Sequence, residues 1–228
     1  LAKRVIAVPD LHFPWHHAEC LAWIYSVIAN FKPDIVIQMG DLYDMYSSSR
    51  FARTHNLMTP KQEIAEARMG AEAFWKNVRI NAPKARRIQK KGNHDIRPDK
   101  RILEEAPELE DLINTSPLFQ FTGVETIHDP SEETVIDNVI YIHGHLTKMG
   151  DHVKYFLQSV VHGHSHRGGT HFMKLRNETI WELDCGFCSD ESAVPLRYGP
   201  ARRTLWTLGV GIIDEYGPRF LPYPGKRK

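Results

Sequence analysis

The chain has little cysteine, no long apolar run and no excess of charge of either sign. Three cysteines in 228 residues, Cys20, Cys185 and Cys188, are too few and too odd in number for a disulfide framework, and favour a reducing compartment. No apolar stretch approaches the length of a membrane span and no leader-like segment opens the chain, so neither an anchor nor a membrane partner is expected. With 29 basic and 28 acidic residues the formal charge is +1, which excludes a polycation that holds nucleic acid by bulk charge. Any such affinity must come from local patches.

What the chain has is a core and a particular order of polar residues. At 42% hydrophobic it can bury one sizeable core, and a single domain over residues 1–228 is expected. Short β-branched runs recur, and each ends in residues able to bind a metal. Val5 to Val8 leads to Asp10-Leu11-His12; Asp34 to Met39 leads to Gly40-Asp41-Leu42-Tyr43-Asp44. A polar stretch from Lys84 to Lys91 leads to Gly92-Asn93-His94-Asp95, and its basic residues are expected to form a solvated sheet edge. Val139 to Ile142 ends at His143-Gly144-His145, and Val160-Val161 precedes His162-Gly163-His164-Ser165-His166.

Helices are expected between these runs. Leu21, Ile24, Tyr25 and Ile28 give one face from about His17 to Asn30. Thr59-Pro60-Lys61-Gln62 is a capping box for a second helix reaching about Ile80. Shorter helices are expected over 100–106, 109–113 and 149–156, and residues 45–57 read as a loop. Asp137-Asn138 marks a hairpin turn, and further hairpins centre near Asn177 and between Ile213 and Arg219. The strands from Ile127 onward are expected to form a second, largely antiparallel sheet. The tail 226–228 is expected to be disordered.

Carboxylates mixed with imidazoles suit manganese, iron, zinc or nickel better than magnesium, which prefers an all-oxygen set. A pair of such ions can hold a hydroxide, orient a phosphate and stabilise the attacking and leaving oxygens. Asp10, His12 and His166 with a shared Asp41 supply one site; Asp41, Asn93, His143 and His164 supply the other.

The five blocks, in this order, resemble the calcineurin-like metallophosphoesterase superfamily over residues 5 to about 170. The resemblance implies an α/β fold with a two-sheet β-sandwich flanked by helices, two divalent ions with manganese favoured, and the ligand sets just given. It also implies that His94 is no ligand but acts on the leaving oxygen during in-line attack by a bridging hydroxide, with Asp44 orienting its ring. The protein Ser/Thr phosphatase branch has Arg-Gly after the second Asp and Glu after Asn-His; Met45-Tyr46 and Asp95 stand there in this chain. The blocks look more like the phosphodiesterase and DNA-repair nuclease branch, without room for the added DNA-gripping domain. Ser49-Arg50-Phe51 and the compact length resemble the small stand-alone phosphoesterases of bacteriophages and bacteria, which implies a cytoplasmic protein, in the host cell where the source is a phage. A phosphodiester substrate, with DNA or RNA as candidate partner, is the expectation, and a phosphomonoester the alternative. His145, Arg97 and Arg50 are the candidates for substrate contact, with Arg53 and Arg167 also close to motif blocks; the oligomeric state is left open. Cys185-Gly186-Phe187-Cys188 lacks a second cysteine pair and reads as buried apolar residues.

Overall fold

A computed structural model describes residues 3–50, 57–112, 115–197 and 205–225. Eleven strands and four α-helices follow one another along the described residues: β1 Val5–Val8, α1 Ala18–Phe31, β2 Ile35–Gln38, α2 Pro60–Asn81, β3 Arg86–Lys90, α3 Arg97–Glu105, β4 Glu125–Ile127, β5 Thr134–Ile136, β6 Val139–Tyr141, α4 Asp151–Phe156, β7 Val160–His162, β8 Gly169–Leu175, β9 Glu178–Asp184, β10 Gly209–Asp214 and β11 Gly217–Pro222. One sheet runs β11-β10-β1-β2-β3-β4 and the other β5-β6-β7-β9-β8.

Alternation within the short buried strands sorts the layers. Ile6, Val8 and Val36 point towards α1 and α2, where they pack with Ile24, Ile28, Phe74 and Trp75. Their neighbours Val5, Ala7, Ile35 and Ile37 point the other way, onto Tyr141, Val161 and Leu183 of the second sheet. The far face of that sheet, with Ile140, Val160 and Ile180, is covered by Val153 of α4. Helices, sheet, sheet and helix therefore stack in an α/β sandwich.

Local chemistry sets the boundaries of the helices. His17 caps α1 by accepting from the Cys20 N–H at 3.1 Å, and Lys32 ends it in the left-handed region at φ 51°. The Thr59 capping box opens α2 as expected. The Asp137-Asn138 turn has φ of 50° and 61°, the geometry of a two-residue hairpin.

Four expectations need correction. The basic stretch is not a sheet edge: β3 lies between β2 and β4, and Ile88, Gln89 and Lys90 are fully buried. Arg86 pairs with Glu125, Arg87 donates to the Gly123 carbonyl, and Lys90 Nζ donates to Glu132 O and Thr134 Oγ1, so the sheet neighbours absorb these charges. Strand β4 and the β10–β11 hairpin belong to the first sheet, because β4 pairs parallel with β3 and β10 antiparallel with β1. The second sheet is mixed, since β6, β7 and β9 run parallel while β5 and β8 pair antiparallel at its edges. Helix α3 starts at Arg97, earlier than expected, and a 3-10 helix over Pro107–Leu112 replaces the next segment. Ile113 and residues 226–228 lie outside the described residues.

Candidate metal centre

Parallel pairing puts the carboxyl ends of β1, β2 and β3 side by side, and that of β6 beside β7, so all five motif blocks emerge at one edge of the sandwich. The loops are bound to one another. Asp95 accepts the N–H groups of Leu42, Tyr43 and Gly92 at 3.2, 2.8 and 2.7 Å, clamping the loop after β2 to the loop after β3. Burial and the neighbouring Asp41 carboxylate push Asp95 up to about 7 against the Tyr43 and Gly92 donors and the His143 charge. Glycine is needed where backbone passes a carboxylate: a Cβ at Gly92 would strike Asp41, and one at Gly163 would strike Asp10.

Two donor clusters result. In the first, His166 Nε2 lies 2.9 Å from Asp10 Oδ2 and 3.3 Å from His12 Nε2. In the second, Asn93 Oδ1 lies 3.1 Å from His143 Nε2 and 2.8 Å from His164 Nδ1. Asp41 Oδ2 faces both clusters, at 3.4 Å from His143 Nε2 and 4.0 Å from His12 Nε2. Its other oxygen accepts the His94 N–H at 2.8 Å. Asp10, His12, Asp41, His143 and His166 are buried, and Asn93 and His164 partly so.

The tautomers can be read from the partners. His12 Nδ1 meets Asp44 Oδ1 at 3.1 Å and His143 Nδ1 meets the Met39 carbonyl at 3.0 Å. Both partners only accept, so hydrogen sits on Nδ1 and Nε2 is the ring atom presented to the cluster. Burial opposes charge on Asp41, but His143 and His94 outweigh it and hold the carboxyl well below its usual range. His143 is raised to about 9 by Asp41 against the effect of its own burial, whereas burial and the His143 charge lower His164 to about 4. Lone pairs and carboxylate oxygens crowded this closely out of water fit divalent cations, and Asp10, His12 and His166, like Asp41, His143 and His164, are close enough to clasp one.

Beside the clusters lies a second device. His94 Nδ1 donates to Asp44 Oδ1 at 2.9 Å, the same oxygen that receives His12. Burial pushes the Asp44 carboxyl up, yet these two imidazoles hold it far below the usual carboxylate range. Arg97 caps the other side of the ring: Nη2 donates to His94 Nε2 at 2.9 Å and Nη1 to the Asp44 carbonyl at 2.8 Å.

His145 is exposed, with its ring against His152 and Tyr155 at 5.6 and 5.8 Å. Arg50 is exposed at the end of a described segment, and Arg53 lies outside the described residues. Arg167 is partly buried and its N–H donates to Ser165 Oγ at 3.3 Å. Cys185 and Cys188 are buried thiols, and no metal-competent group among the described residues contains them. Sequence reading missed a further buried cluster, His152, His162 and Glu182. Its one visible sign is a glutamate inside the apolar strand Ile180-Trp181-Glu182-Leu183.

No family model matches the chain. Curated relatives are the Gene 54 proteins of Mycobacterium phages D29 and L5, each 25% identical over 254 residues, covering 100% of this chain and 96% of the relative. Similar solved structures include the E. coli phosphoesterase YfcE, at 13% identity and TM-score 0.41 over 93% of this chain and 88% of that one. The nuclease MPE of Pseudomonas putida follows at 12% and 0.40 over 95% and 86%, and Vps29 of Chaetomium thermophilum at 10% and 0.45 over 97% and 95%. Among the described residues no helix is long and apolar enough to cross a membrane.

Proposed function

We propose that the chain is a dinuclear metal-dependent phosphoesterase of the calcineurin-like metallophosphoesterase superfamily, acting on phosphodiester bonds of DNA or RNA in the cytoplasm of a phage-infected cell. The observation that carries this reading is Asp41, whose Oδ2 lies within 4.0 Å of both donor clusters, each of which draws residues from both sheets. Asp10, His12, His166 and Asp41 would hold one ion, and Asp41, Asn93, His143 and His164 the other. Two divalent ions, manganese in the first instance, supply Lewis acidity and an activated water when bound. The phage relatives support the setting.

The chain's own residues do the rest. Asp44 fixes His94 with hydrogen on Nδ1, so Nε2 is the atom turned towards the reaction. An arginine only donates, so Arg97 must leave Nε2 before that nitrogen can carry a proton to the leaving oxygen. Once displaced, its guanidinium remains beside the reacting phosphate, where it can hold a non-bridging oxygen. Arg50 and His145 would contact more distant parts of the substrate.

A phosphomonoesterase is the second reading, favoured by that same guanidinium, which suits the extra charge of a monoester. Metal-stripped protein reloaded with manganese and given an aryl phosphomonoester and the matching bis-aryl diester decides between them. Preference for the diester is expected. Preference for the monoester would move the assignment to a phosphatase, and bound metal without turnover on either would leave a binding protein.

A further inference from the structure

Glu182 lies outside every motif block, yet it is fully buried on β9 directly behind the two histidine-bearing loops of the second sheet. Its Oε1 meets His162 Nε2 at 3.0 Å, and its Oε2 accepts the Val153 N–H at 3.0 Å. The other nitrogen of His162 lies 2.8 Å from the Gly163 carbonyl. Carboxylate and carbonyl both accept, so the His162 ring bridges Glu182 to the backbone of the Gly163 loop. His152, from α4, is set the opposite way. Its Nε2 accepts the N–H groups of His145 and Leu146, each at 3.3 Å, so hydrogen sits on Nδ1, which faces Glu182 Oε1 at 3.7 Å. The two rings lie 4.1 Å apart between centroids.

These three groups are close enough to clasp a cation, but the hydrogen bonds exclude it. With Nε2 of His152 accepting from the backbone, ligation through Nδ1 would demand an imidazolate. The network instead ties down the loops. His162 grips Gly163, one residue before His164; His152 grips His145 and Leu146, just after His143. The chain at Gly144 passes close to both side chains, where a Cβ would lie 3.1 Å from His152 Nε2 and 3.3 Å from His162 Cβ. Gly163 N donates to the His143 carbonyl at 3.0 Å, so the loops also touch each other.

We propose that Glu182, His162 and His152 are positioning residues for the metal centre: one buried carboxylate fixes the spacing between the loop that carries His143 and the loop that carries His164 and His166. This rests on the metal-centre reading above. Groups that hold metal ligands in place tune affinity about 10- to 100-fold when removed. The test is manganese affinity by calorimetry, with turnover left out of the readout. Glu182→Gln is expected to weaken binding by about that factor. His152→Leu should weaken it too, whereas His152→Gln, whose amide oxygen can accept both N–H groups, should restore most of the affinity. In parallel, ¹⁵N shifts of the wild-type protein should show His152 protonated on Nδ1 alone.

Unchanged affinity in folded Glu182→Gln overturns the proposal, as does equal affinity in the two His152 variants. Should Glu182→Gln fail to fold, the His152 pair decides; a His152 ring carrying its hydrogen on Nε2 in the wild type would overturn the network by itself. Wild type that binds no manganese sinks the metal-centre reading, whereas wild type that binds it with variants unaffected sinks only this proposal.

Discussion

At the scale of single residues, Asp44 and His94 look like one dyad but have separable duties. A single Asp44 oxygen receives both His12 and His94, so the carboxylate sets the tautomer of a candidate ligand and of the candidate proton donor at once. His94 has no such double role: its ring bonds to Asp44, lies edge-on to His12 with centroids 4.4 Å apart, and keeps its Nε2 3.9 Å from Asp41 Oδ2, so it fixes the tautomer of no candidate ligand. His94→Ala is therefore expected to lower kcat by about 10²- to 10⁴-fold, the usual range for a lost general acid, while both ions stay bound. Asp44→Asn is expected to lower kcat and manganese affinity together, the latter by about 10- to 100-fold. Activity assays beside elemental analysis separate the two; loss of metal in His94→Ala would place that ring among the ligands.

At the scale of elements, β3 shows where sequence patterns stop being informative. Its alternation puts basic residues on both faces, the mark of an exposed edge, yet the strand is central because β4 returns parallel beside it. Lys90 reaches across the sandwich to Glu132 and Thr134. Burial lowers the Lys90 pKa to about 8 from 10.5, with the acidic Glu132 and Asp129 resisting. Between those values the unfolded chain holds a proton that the folded chain has lost, so this residue makes stability rise with pH across about 8 to 10.5. Urea unfolding of wild type and Lys90→Met across that interval should show the wild type gaining on the variant; parallel curves would mean that the ammonium is not perturbed.

The elements that were legible carry local chemistry: the Thr59 box, the Asp137-Asn138 turn, and β1 and β2 as continuous apolar runs. Which sheet a strand joins is not local. Strands β10 and β11 make a hairpin visible in sequence, but only the tertiary fold sets β10 against β1 rather than in the second sheet. The same division holds at the site. Ligand-type residues following apolar runs announce themselves, whereas Glu182 and His152 sit on a strand and a short helix whose pattern gives no hint that they face each other.

For the whole molecule, the position of the donors has a thermodynamic consequence. Asp10, His12, Asp41 and Asn93 follow strands of one sheet, while His143, His164 and His166 follow strands of the other. Ions bound there would staple the two sheets at one end, and an unfolded chain offers no equivalent site. Manganese should therefore raise the unfolding midpoint in a concentration-dependent way, each bound ion adding about 2.7 kcal/mol of stability when free metal exceeds its Kd a hundredfold. A chelator should reverse it. Asp41→Asn removes the one charge that both clusters share, so both ions should be lost and the midpoint should cease to respond to manganese, even if the metal-free fold keeps wild-type stability. A midpoint indifferent to metal in the wild type would mean that folding builds no cation site at this edge, and the dinuclear reading would fail with it.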